Sequence, residues 1–164
     1  MDGVKQDFLL AYDTLADAIY RFCYYRVFSK EVAEELTQET FMKTWLYLSQ
    51  NQRIDNLKAF LYRVATNLVI DYARKSKTES LESLQEKGFD AAIRENNEDW
   101  VTVREIIGNF KQLPTEFHEV LTLRYIDDLS PKEIAEVLEI TANLVSVRIN
   151  RGLELLRNIL HIKK

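Results

Sequence analysis

The side chains best placed to do chemistry in this 164-residue chain are arginines, amides and hydroxyls, not nucleophiles or metal ligands. His118 and His161 are the only histidines and have no metal-ligand or triad-like spacing, so both are expected at the surface or at helix ends. Cys23, the single cysteine, lies among Phe22, Tyr24 and Tyr25 and is expected in a core. No catalytic centre, metal or cofactor is therefore expected. What remains is chemistry of recognition. In "FLYRVATNLVIDYARK", residues 60–75, a helical wheel turns Leu61, Val64, Leu68 and Tyr72 inward. Arg63, Thr66, Asn67, Ile70 and Arg74 then run down the outward side, with Asp71 toward the edge of the apolar face. Arginines interleaved with amide and hydroxyl groups suit a nucleic-acid backbone and unstacked bases. Trp45, Tyr47, Phe60 and Tyr62 lie close in sequence to the loop "SQNQRID", which carries Arg53. Such aromatics can stack on single-stranded bases, although Trp45 and Phe60 are expected mainly in the core.

A second constellation occupies "EITANLVSVRINRG", residues 139–152. Val145, Ile149, Leu153, Leu156 and Leu160 form one apolar stripe, matched on the preceding helix by Ile134, Ala135 and Leu138, with Ile140 closing the turn. Small Ala135 and Gly152 would permit close helix approach. Opposite the stripe, near the N-terminal end, fall Asn143, Leu144, Val147, Arg148 and Arg151. A short capped helix, a tight turn and a longer basic helix form the unit that lays its second helix in a major groove. The arginines and the asparagine suit phosphates and one base edge, whereas Leu144 and Val147 offer only apolar contact. A third group, Glu34, Glu35, Gln38 and Glu39, makes an acidic face on a helix that buries Ala33, Leu36, Phe41, Trp45 and Leu48. That face suits a basic protein surface, not DNA.

The elements that must hold these groups are all helices. Apolar residues recur at three- and four-residue spacing, no run alternates as a strand would, and four glycines and two prolines leave few tight turns. A first helix is expected from about Val4 to Val27, and Ser29 caps a second to about Ser49. After a polar break at 50–55 a third covers 56–77. Residues 78–98 are polar and acidic and read as a linker with some helical tendency. The second domain, 99–164, opens with a helix ending before Pro114, followed by a helix that Pro114 starts, to Ile126. Ser130-Pro131-Lys132-Glu133 is a capping box, and Thr141 caps a last helix to about Ile162.

Charge is distributed accordingly. The net charge is −4, which by itself argues against nucleic acid. Yet residues 51–78 hold six basic against two acidic residues, and 141–164 hold five against one. Between them 79–107 hold three basic against eight acidic. Two positive segments flanking a negative one suggest two binding surfaces and a connector of opposite sign. A lone cysteine makes a reducing cytoplasm the expected setting. The N-terminus does not read as a signal peptide, and no stretch approaches the roughly 18 apolar residues of a membrane span.

Taken together these segments resemble a bacterial sigma factor of the sigma-70 superfamily, in the short extracytoplasmic-function (ECF) group. "AEELTQETFMKTW" is similar to that family's region 2.2, which docks on RNA polymerase. "FLYRVATNLVIDYARK" is similar to regions 2.3 and 2.4, written W-L-x-x-I-A-x-N-x-x-x-D-x-x-R, with Phe60 at the Trp position and Leu61, Ala65, Asn67, Asp71 and Arg74 matching. "LPTEFHEVLTLRYIDDLSPKEIAEVLEIT" is similar to region 4. The resemblance implies an all-α protein of two small domains, 1–77 and 99–164, that binds core RNA polymerase and promoter DNA. Glu35, Leu36, Gln38, Glu39 and Phe41 would meet polymerase. Arg53, Tyr62, Arg63, Thr66, Asn67, Asp71 and Arg74, with the 49–58 loop, would hold the separated strand of the minus-ten element. Asn143, Leu144, Ser146, Val147, Arg148 and Arg151 would dock on the minus-thirty-five duplex. An anti-sigma factor is implied as a masking partner, and no membrane insertion. The chain departs from the family where T-V-K-S-R-L-x-R-A is usual. From Leu144 it has Leu, Ser and Val in place of the Thr, Lys and Ser that would touch DNA, and Glu139 replaces the usual turn glycine. The N-terminal domain is therefore expected to carry more promoter discrimination than the C-terminal one. The competing expectation is a sigma-like adaptor that binds proteins with little promoter-specific activity.

Overall fold

A computed structural model describes residues 2–83 and 98–160, with side chains described for 2–77 and 102–160. All of its regular structure there is helical: α1 Asp2–Val27, α2 Lys30–Ser49, α3 Leu57–Ser83, α4 Glu98–Phe110, α5 Thr115–Leu121 leading into a π-helical turn Thr122–Ile126, α6 Pro131–Leu138 and α7 Ala142–Ile159. The chain divides into two compact units, Met1–Asn96 and Asn97–Lys164. Most of the expected linker, and His161, lie outside the described residues.

In the first unit α1, α2 and α3 pack on one another. Tyr24 carbonyl accepts from Phe28 N–H at the end of α1, and Phe28 takes a left-handed φ of 51° that reverses the chain. Ser29 then caps α2 by accepting from Val32 N–H. The core holds Ile19, Phe22, Cys23, Leu61, Ala65 and Leu68. Thr40 and Thr44 are fully buried as well, a feature that apolar periodicity does not register. Their hydroxyls donate to the Leu36 and Thr40 carbonyls, so each polar atom is satisfied within its own helix. Phe8 and Tyr12 of α1 close over α2 by edge contacts to Phe41, with ring centroids 6.1 and 4.9 Å apart. The helix α3 runs six residues beyond the expected end at Lys77, because nothing in "TESLES" breaks a helix.

In the second unit Ser130 and Glu133 form the expected reciprocal cap, with Pro131 in the first turn of α6. Thr141 caps α7 by accepting from Leu144 N–H. Between them Glu139 adopts a left-handed conformation, φ 57° and ψ 42°, the geometry usually given to glycine. Three expectations are corrected. Pro114 stands one position before α5 as its N-cap, not within its first turn. The turn of the α6 stripe buries Val137, while Leu138 is half-buried. Gly152 is buried where α7 crosses α5, not α6. A Cβ there would lie 3.1 Å from Leu121 Cδ1 and 3.3 Å from Phe117 Cβ.

Candidate nucleic-acid interface

The outward face of α3 forms because its inner face is fixed by packing. Ala59, Leu61, Tyr62, Ala65 and Leu68 are buried, and that stripe leaves Asn67, Ile70, Asp71 and Arg74 exposed, with Arg63 and Thr66 half-buried beside them. Thr66 donates to the Tyr62 carbonyl at 2.7 Å, so its hydroxyl is oriented along the helix and still offers acceptor lone pairs. Asp71 is exposed, not at the apolar edge, and so belongs to the same solvent-facing row.

Tyr62 does not belong to this face. It is 2% exposed, and its ring meets Phe22 edge-on at 5.3 Å. One residue from the outward row, a 100° turn of the helix carries it into the core, so it cannot stack on bases. Tyr47 is the exposed aromatic here instead. It leans on half-buried Phe60 with centroids 5.0 Å apart, next to the loop that follows α2. Arg53 lies in that loop, fully accessible, with Nε 3.5 Å from Asp55 Oδ1.

The α2 face divides differently from expectation. Glu35, Gln38 and Glu39 are exposed, with Lys43 Nζ 3.6 Å from Glu39 Oε1. Leu36 and Phe41 are 7% and 3% exposed. They hold α2 against the domain and are closed to a partner. Met42 and Leu46, 62% and 53% exposed, continue the acidic row at helical spacing. Sequence reasoning missed both, although a methionine between Phe41 and Lys43, off the buried stripe, was the available signal.

In α7 the burial of Val145, Ile149 and Gly152 turns Asn143, Leu144, Ser146 and Arg151 to solvent. Val147 and Arg148 are half-buried. Arg148 Nη2 lies 3.9 Å from Glu116 Oε2 of α5, and the arginine side chain is 24% exposed. Ser146 donates to the Ala142 carbonyl at 3.2 Å. Asn143, Leu144, Val147 and Arg151 share one side of the helix, with Ser146 and Arg148 at its two margins. No group of His, Cys, Asp or Glu able to hold a metal ion occurs among the described residues. Nor is any described helix long and apolar enough to cross a membrane.

Sequence and structure comparisons identify the family and the fold. The family described as Sigma-70 region 2 matches residues 11–79, and Sigma-70, region 4 matches 110–156. The chain is 33% identical over 170 residues to the ECF RNA polymerase sigma factor SigW of Bacillus subtilis (strain 168), covering 94% of this chain and 89% of that protein. It is 34% identical over 140 residues to SigM of the same organism, covering 83% and 85%. Two solved structures share the fold at 19% identity. CnrH, in complex with the cytosolic domain of CnrY, has a TM-score of 0.69 over 98% of this chain and 91% of that one. The sigma factor RpoE from Bartonella quintana, in complex with the anti-sigma factor NepR, has 0.67 over 97% and 99%.

Proposed function

The chain belongs to the ECF group of the sigma-70 family, and from that membership we propose a division of labour among its surfaces. It is an alternative sigma factor: it binds core RNA polymerase, recognises promoter DNA and starts transcription. The observation that carries the residue-level reading is the split of α3, whose buried inner stripe presents Arg63, Thr66, Asn67, Asp71 and Arg74 as one row of hydrogen-bonding groups.

That row and Tyr47, with Arg53 in the adjoining loop, hold the unpaired strand of the downstream promoter element. Amides and guanidinium groups bond to exposed base edges and phosphates, and an aromatic face stacks. No covalent bond is made or broken by the chain. Strand separation is driven by the binding free energy that these groups gain only with an unstacked base. The stripe Glu35, Gln38, Glu39, Met42 and Leu46 docks on polymerase, with the carboxylates giving orientation and the two apolar side chains giving contact area. Asn143, Arg148 and Arg151 position the second unit on the upstream duplex through its phosphates.

An anti-sigma factor completes the proposal. Two large apolar side chains exposed side by side on α2 favour being covered when polymerase is absent. The adaptor reading has no observation in its favour.

Run-off transcription with purified core polymerase and a promoter library tests the whole reading. A discrete promoter-specific product is expected from the native chain. Glu35→Lys with Glu39→Lys is expected to weaken polymerase binding by roughly tenfold, since like charges then meet a basic surface. No promoter-specific product from any library member would overturn the reading.

A further inference from the structure

On α7 Leu144 and Leu155 are exposed and Val147 is half-buried, and of these Leu144 and Val147 lie in the N-terminal half of the helix beside Asn143 and Arg151. Leu144 is the third residue of the helix and is 37% exposed. Its position is fixed from three sides. Its N–H donates to the Thr141 hydroxyl at 3.1 Å, its neighbour Val145 is fully buried, and Ile149 is buried one turn on. Helical side chains lean toward the N-terminus, so the leucine projects over the first turn of α7, beside exposed Ala142 and Asn143. No acidic residue lies between Glu139 and Glu154, whereas Arg148 and Arg151 do. Arg151 is exposed and Arg148 is held near Glu116 of α5, so the helix surface around Leu144 carries basic groups and no carboxylate of its own, while the leucine methyl groups can make only apolar contact.

In a major groove each base pair shows donors and acceptors, and thymine alone adds a methyl group. A leucine held rigidly among phosphate-binding groups can distinguish bases only through that methyl. We propose that Leu144 is a specificity-determining residue that reads a thymine C5-methyl in the upstream promoter duplex. Val147, one turn further and half-buried, closes the side of the apolar step against the helix. This proposal rests on the reading of the second unit as a duplex binder. It assigns to an apolar side chain a discrimination that elsewhere falls to hydrogen bonds.

Replacing single thymines of the upstream element by deoxyuridine removes the methyl and leaves every hydrogen-bonding group in place. The measurement is holoenzyme affinity for the promoter, for the native chain and for Leu144→Ala. At one or two thymines the native holoenzyme is expected to lose about three- to fivefold, the effect of exposing one buried methyl. Leu144→Ala holoenzyme is expected to bind the thymine and deoxyuridine promoters within about 1.5-fold of each other. A native holoenzyme insensitive to every deoxyuridine, yet sensitive to base-pair exchanges in the same element, would overturn the proposal. So would equal deoxyuridine losses in native and variant. Insensitivity to all exchanges throughout the upstream duplex would instead overturn duplex reading by the second unit, and this assignment with it.

Discussion

The outward faces of α3 and α7 are made in the same way and offer opposite chemistry. In both, a buried apolar stripe fixes which residues meet solvent. On α3 the exposed row is mostly amide, carboxylate and guanidinium, with Ile70 as its one apolar member. On α7 the corresponding row carries Leu144 beside Asn143, and Arg148 is partly committed to Glu116 within the fold. The difference teaches that a shared geometry need not mean equal reading power. Packing alone positions a helix, but hydrogen-bonding groups at the outward positions decide how much sequence information it can extract. On the proposed reading the first unit is the principal discriminator of the promoter, and the second an anchor with a narrow apolar preference.

Three measurements break or sharpen that contrast. The largest effect is expected on α3. Asn67→Ala and Arg74→Ala should each lower open-complex formation by roughly five- to a hundredfold, the range for losing one base contact on a single strand. Permanganate reactivity of unpaired thymines would follow it. An effect no larger than that of Leu144→Ala would erase the asymmetry. Smaller is the effect of Glu139→Gly in the turn before α7. Left-handed backbone costs a side-chain-bearing residue about 1 kcal/mol, so the glycine variant should unfold that much less readily in urea. Promoter preference should stay unchanged, because the turn only positions the helix. A shift in preference would mean that Glu139 itself takes part in reading. The smallest effect is expected from Glu116→Gln, which releases Arg148. An ion pair of this kind contributes roughly 0–1 kcal/mol, so promoter affinity should rise by about twofold with a steeper dependence on salt. A fall in affinity would show that the pair orients Arg148 for DNA and does not compete with it.

Much of this was legible in the chain. Capping residues announced the starts of α2, α6 and α7, because a side-chain oxygen before a helix has a local, sequence-readable role. The outward row of α3 followed from its period. What could not be read were decisions made between helices. Tyr62 sits one residue from the outward row, and its ring turns in against Phe22 of α1. Leu36 and Phe41 match a family docking segment, yet the packing of α1 over α2 places them behind the surface and leaves Met42 and Leu46 on it. The π-helical turn at Thr122–Ile126 was also invisible, since it inserts one residue's worth of backbone without changing the apolar spacing around it. Its closing bond, Asp127 N–H to the Thr122 carbonyl at 3.1 Å, leads directly into the left-handed Asp128 before α6.

Trp45 stands on the back of α2, half-buried, with its ring 5.1 Å from that of Phe8 and one residue from exposed Leu46. The only other tryptophan, Trp100, belongs to the second unit. The protein thus carries one tryptophan in each unit. With Trp100 replaced by phenylalanine, the emission of Trp45 would report in real time on whatever settles over Met42 and Leu46, without any added dye.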